Sequence, residues 1–199
     1  MVINKILSLC FLFFSCIYPG ANQTTGMQAK EYTYWENISE SQKKEILSSN
    51  LVYKDAVAFF EGRFKLSDDN RTFTLLDTIS SFRRNNEKFR SFYFYVFSQI
   101  CIKSDGSVSE SLGNYCQRAI LNATEYHLSY FANNKRILNK YAQLIGSELY
   151  FKDKGTSTME FDYKDFKVLL SKKTSGNKEF SNTLNILFNE IEKAMKNMD

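Results

Sequence analysis

Beyond Pro19 the sequence contains no proline as far as Asp199. Proline ends or kinks a helix more sharply than any other residue, because it removes a backbone donor and clashes with the preceding turn. The rest of this chain is therefore punctuated only by Gly, Asn, Asp and Ser. Between those points apolar residues recur at three- and four-residue steps, the spacing of one helix face.

The segments read as follows. Ser39-Glu-Ser-Gln42 has the form of a capping box and opens a short helix to about Ser48. A second helix is expected from near Asn50, with Val52, Ala56, Phe59, Phe60 and Phe64 on related turns. In the break Ser67-Asp-Asp-Asn70, Asp69 or Asn70 caps a third helix, whose face runs through Phe73, Leu76, Ile79, Ser80 and Phe82. Residues 87–103 are the most apolar of the chain past the leader. Phe92–Phe97 alone would favour a strand, but the length of the run and the lack of a turn signal predict a helix buried on most of its surface. After a turn at 104–107, Ser107-Val-Ser-Glu110 forms a second capping box, opening a helix through Leu112, Tyr115, Cys116, Ala119 and Ile120. Asn122-Ala-Thr124 breaks it before 126–131. Helices over 135–151, 162–172 and 178–196 follow, with a loop at 155–158.

About eight helices of roughly 10 to 20 residues with short connectors predict an all-α fold, a single compact multi-helix domain. Helix pairs recur at intervals of roughly 35 to 40 residues, as in helical-repeat arrays. No repeated residue pattern accompanies that spacing, so a helical bundle and a short helical-repeat-like stack are both compatible with it.

The N-terminus is of another kind. Met1–Lys5 carries one positive charge, residues 6–18 are apolar or small, and 20–30 are polar. The apolar run falls short of the roughly 20 residues a membrane span needs and has the flanks of a secretory signal. Leu12-Phe-Phe-Ser-Cys16 resembles the lipobox of bacterial lipoproteins, with a small residue before the cysteine, although Phe13 stands where leucine is usual. That resemblance implies lipidation at Cys16, and an acyl anchor gains about 0.8 kcal/mol per buried methylene. Ordinary cleavage near residue 21 is the alternative and would leave a secreted soluble protein. The expected organisation is a signal peptide over 1–16, a flexible tether over 17–33 and an all-helical domain over 34–199. The leader removes only Lys5, so the net charge of +4 falls by one. So mild a balance does not drive binding to nucleic acid.

Chemistry-bearing residues are few. The lone histidine, His127, removes every site needing two imidazoles. Its neighbours in sequence, Cys116, Glu125 and Ser129, form no recognisable catalytic motif, and a partly buried structural histidine is the simpler reading. Cys101 and Cys116 flank the Asp105-Gly106 turn, and a disulfide there would close a loop worth about 3 kcal/mol. In an ideal hairpin the two would lie at different depths, roughly 5 Å and 13 Å from the turn. That exceeds what a disulfide tolerates, so a bonded pair and two buried hydrophobes stand level. Two cysteines and one histidine leave a zinc site short of ligands, so no metal is expected. Asp68-Asp69 reads as helix capping and Glu160/Asp162 as loop polarity; no phosphate loop or calcium loop is present. Arg83, Arg84, Lys88 and Arg90, interleaved with Phe82, Phe89 and Phe92, are a candidate partner-binding patch, or else solvated charges on helices whose rings point inward.

These features lead to an exported, lipid-anchored, non-enzymatic binding protein of the bacterial envelope. It would recognise a protein partner, as an inhibitor or immunity factor or as an accessory subunit. Two alternatives stay open: a small exported enzyme using dispersed carboxylates or Cys116 with His127, and an apolar-ligand carrier whose helix over 87–103 lines a cavity. No cofactor and no nucleic-acid partner is implied, and nothing in the pattern fixes an oligomeric state.

Overall fold

Helix starts follow local chemistry. In the computed structural model, which describes residues 31–81, 87–104, 106–155 and 159–198, Ser39 caps α1 (Glu40–Ser48) in the expected capping box. The Ser39 hydroxyl accepts from the Gln42 backbone N–H, and Gln42 Oε1 accepts from the Ser39 N–H at 3.0 Å. Asp69 caps α3 (Asn70–Ser80) through the Thr72 N–H at 2.7 Å. Asp162 caps α8 (Tyr163–Lys173) through the Asp165 N–H at 2.8 Å. Between these lie α2 (Lys54–Phe60), α4 (Glu87–Lys103), α5 (Gly106–Asn122), α6 (Thr124–Asn133) and α7 (Lys135–Asp153), and α9 (Ser181–Lys196) closes the chain. Trp35–Asn37 and Lys178–Phe180 are single 3₁₀ turns, and there is no strand among the described residues. The all-α fold is as the periodicity predicts.

Four details differ from the sequence reading. α2 is shorter than expected, because Gly62 at φ +74° ends it. The Arg63 N–H reaches the Ala58 carbonyl and the Gly62 N–H that of Phe59, a Schellman closure. It also starts later, since the Tyr53 N–H is taken by the Tyr93 hydroxyl at 3.0 Å. The buried face of α3 is rotated: Thr72 and Leu75 are inside, while Phe73 is only half-buried. α5 begins at Gly106, one residue before Ser107, the expected cap. The last helical stretch divides into the 3₁₀ turn and α9.

α7 is the axis. It packs against α5 on one side and α9 on the other, and it also touches α4 and α6. In a repeat stack each unit meets only its neighbours, so the arrangement is a bundle. The two long contacts close through glycines. A Cβ on Gly113 of α5 would lie 2.6 Å from the Leu144 carbonyl oxygen and 2.7 Å from Glu148 Oε2. A Cβ on Gly146 of α7 would lie 2.6 Å from Ala194 Cβ and 2.7 Å from the Ile191 carbonyl oxygen. Neither helix pair could come so close with a side chain there.

The aromatic half of the core lies on α4, whose Phe92, Phe94 and Phe97 are wholly buried. Trp35 packs on Phe92 with centroids 5.0 Å apart, and Phe97 meets Tyr141 at 5.7 Å. Tyr32 and Thr33, assigned by sequence to the tether, are held to α6. The Tyr32 hydroxyl donates to Glu125 at 2.7 Å, and the Tyr126 hydroxyl donates to the Thr33 carbonyl at 3.0 Å. The signal peptide, Cys16 and the tether up to residue 30 lie outside the described residues.

Alanine is better than glycine in an open helix position by about 1 kcal/mol. At Gly146 the added methyl meets backbone at 2.7 Å, so Gly146→Ala is expected to lose about 1–3 kcal/mol, as overpacked sites do. Urea denaturation measures this, and equal or higher stability in the variant would contradict the close contact.

Candidate functional site

Of the basic patch suggested by the sequence, Arg83 and Arg84 lie outside the described residues, and so does the side chain of Lys88 on α4. Arg90 is half-buried, its guanidinium 5.8 Å from the centre of the Tyr126 ring. That contact ties it to α6, over which residues 32–36 form a strap held in part by the Tyr130 hydroxyl, which donates to Glu36 at 3.0 Å.

His127 is wholly buried on α6. Its ring stands edge-on to Phe94, Phe131 and Tyr141 at 5.1, 5.8 and 6.0 Å. Nδ1 lies 2.9 Å from the Ala123 carbonyl, which fixes the proton on that nitrogen. Burial holds the pKa down at about 4, opposed by the Ala123 hydrogen bond and aided by the charge of Arg90. His127 is thus neutral at pH 7 and enclosed by rings. Cys101 and Cys116 are also wholly buried, with free thiols whose sulfurs lie 3.7 Å apart. Burial first, then the Cys101 neighbour, pushes the Cys116 thiol up, away from the reactive thiolate. No group of three or more potential metal ligands occurs among the described residues. None of the helices among them is long and apolar enough to cross a membrane.

A concave feature with a mixed lining lies where the C-terminal ends of α7 and α9 meet the start of α8. It is a groove of about 420 Å³. Tyr150, Tyr163 and Met195 form its floor, and Asp153, Lys154, Glu192 and Lys196 line it with both signs of charge. Tyr163 is placed by the Asp162 cap, and its hydroxyl donates to Glu192 Oε1 at 2.6 Å. Burial, then that hydrogen bond and the charge behind it, pushes the Tyr163 phenol up. The same bond, followed by one from Lys167 at 3.3 Å, holds the Glu192 carboxyl below its usual range. Each tyrosine also has a lysine near its ring, Lys154 at 5.2 Å from Tyr150 and Lys167 at 5.4 Å from Tyr163. Phe151, 38 % exposed, stands beside Tyr150 at 5.6 Å. On the other flank of α9 lies a second groove of about 390 Å³, between Gln143 and Ser147 of α7 and Glu190 and Lys193 of α9.

Such a floor suits recognition. Two amphipathic rings and a flexible thioether offer apolar contact at small entropic cost, and the charges around them select orientation. None of these residues stood out in the sequence, because they come from three helices and share no local pattern. Asp162, which the sequence presents as loop polarity, is in fact the cap of α8. No known family model, curated protein or solved structure matches the chain.

The His127 shift carries a pH signature. The folded value of about 4 lies below the ordinary 6.5. Its stabilising contribution is therefore full above pH 6.5 and fades as pH falls toward 4. Between pH 7 and 4.5 the loss is about 2 kcal/mol. The carboxylates held low, Asp55, Asp69 and Glu192, weaken the fold in the same direction. The comparison is therefore with His127→Phe, which keeps a ring and leaves the Ala123 carbonyl bonded to the residue-127 backbone N–H. Urea titrations at the two pH values are expected to show a loss smaller by about 2 kcal/mol in the variant; equal losses would contradict a buried neutral imidazole.

Proposed function

We propose that this protein is an exported, lipid-anchored, non-enzymatic binding protein of the bacterial envelope. Its partner is another envelope protein, held as an inhibitor or immunity factor holds its target or as an accessory subunit holds its complex. The export half of this reading is supported by the leader and by the lipobox-like segment ending at Cys16. The binding half is supported by the groove between α7, α8 and α9, whose tyrosines, methionine and paired charges are the residue types that anchor protein interfaces. The partner surface that fits presents one apolar or aromatic side chain to the Tyr150–Tyr163–Met195 floor, flanked by charges of both signs.

The enzyme alternative in its Cys116/His127 form would need one of these to meet a substrate, and both are wholly buried; its dispersed-carboxylate form names no site. The carrier alternative would need space along α4, whose phenylalanines are in ring-to-ring contact. Neither has an observation in its favour comparable to the groove.

A photoreactive phenylalanine analogue at Tyr150 of the full chain, in intact cells, tests the reading. The expected product is one discrete protein adduct, with none from the same probe at the exposed Thr74 of α3. With the probe kept at Tyr150, Lys196→Glu is expected to lower the yield about tenfold, the effect of losing about 1.4 kcal/mol at an interface. No adduct at Tyr150, or the same products from both positions, would overturn the groove as the binding face.

A further inference from the structure

Cys101 lies near the end of α4 and Cys116 past the middle of α5. In an ideal hairpin those depths would not match. Among the described residues, however, α4 and α5 pack chiefly on α3 and α7 and not along each other. The two sulfurs consequently touch, at 3.7 Å, with no part of either residue reaching solvent. A disulfide needs about 2.05 Å, so closure asks each side to move by less than about 1 Å. Ile100, Leu112 and Ile120, near them in the chain, are also wholly buried, as is the Tyr141 ring.

We infer that Cys101 and Cys116 are joined as a disulfide in the mature protein, made while the chain folds and then sealed inside the core. The inference rests on the export reading, because an exported chain meets an oxidising compartment. The oxidant is a disulfide of the thiol-exchange class, either a protein oxidoreductase or oxidised glutathione. One cysteine thiolate attacks a sulfur of that disulfide, forms a mixed disulfide and expels the other sulfur as a thiolate. The second cysteine thiolate then attacks the first cysteine's sulfur, closing the Cys101–Cys116 bond and releasing the oxidant's second sulfur. Two electrons pass to the oxidant, and the two protons lost by the cysteines end on its thiols.

Timing follows from burial. In the folded domain no oxidant can approach either sulfur in line, and burial also disfavours the Cys116 thiolate. Closure therefore belongs to the folding chain. The finished bond resists reduction until the domain opens, which makes it a staple and not a redox switch.

Trypsin separates the two cysteines, since Lys103 lies between them: Cys101 falls in peptide 91–103 and Cys116 in 104–118. The full chain is isolated from its cells without reductant, alkylated in denaturant and digested. In parallel, full chain that has been reduced and unfolded is refolded in a glutathione redox buffer and treated alike. The expected result in both is one joined species, lighter by two hydrogens than the pair of peptides, which reduction splits. Closing a loop of this size is also expected to raise Tm by roughly 6–12 °C over the reduced protein. Two alkylated thiols in the refolded sample overturn the inference, as do alkylated thiols in cell-derived protein whose N-terminal peptide begins at Cys16 or near residue 21. A bond in the refolded sample, with free thiols and an uncut leader in the cell-derived one, supports the pairing and overturns the export reading instead.

Discussion

The domain is held at its tightest where helices meet without a side chain between them. Gly113 lets α5 approach the Leu144 carbonyl, and Gly146 lets α9 bring Ile191 and Ala194 against α7. The gap at Gly113 also admits the buried Glu148 carboxylate, which accepts the Asn114 N–H at 2.8 Å. The Asn114 side chain in turn accepts the Glu160 N–H at 3.3 Å. Two residues later Asp162 caps α8 and sets Tyr163 against Glu192. A short path thus runs from a missing Cβ in α5 to the floor of the groove. The other side of the groove follows from Gly146, since the α7–α9 contact it permits brings Tyr150 and Met195 to one face.

Aromatic packing does a different job. The rings of α4 meet Trp35 and Tyr34 of the N-terminal strap and the His127 and Tyr130 rings of α6. Hydrogen bonds from Tyr32, Tyr126 and Tyr130 tie the strap down along its length. Tilted and edge-to-face ring pairs add stability beyond the area they bury. The groove belongs to other elements, α7, α8 and α9.

Most of the fold was legible because helix signals are local. The absence of proline, the apolar spacing and the oxygen-bearing caps at Ser39 and Asp69 each act within one turn of their own position, whereas Asp162, which reads as loop polarity, is the cap of α8. The errors came where a residue has two meanings. Gly62 looked like one more position of α2 and is its stop, whereas Gly113 and Gly146 are helix interiors whose purpose is contact with another helix. The depth of Cys101 against Cys116 depends on how α4 and α5 pack, which no short pattern encodes. The groove was invisible for the same reason, as its tyrosines and Met195 meet only in three dimensions. His127 could be read from composition alone: a lone imidazole amid apolar residues is most simply a core ring, and its surroundings of Phe94, Phe131 and Tyr141 agree.

If α7 is the axis on which both the groove and the bundle depend, its amides open only when the whole domain opens. Native-state hydrogen exchange of the full chain measures this directly. Amides from Ile137 to Leu149 are expected to be the slowest in the protein, with an opening free energy equal to that of global unfolding. Exchange of α7 through a smaller opening, while α3 and α4 stay protected, would contradict it.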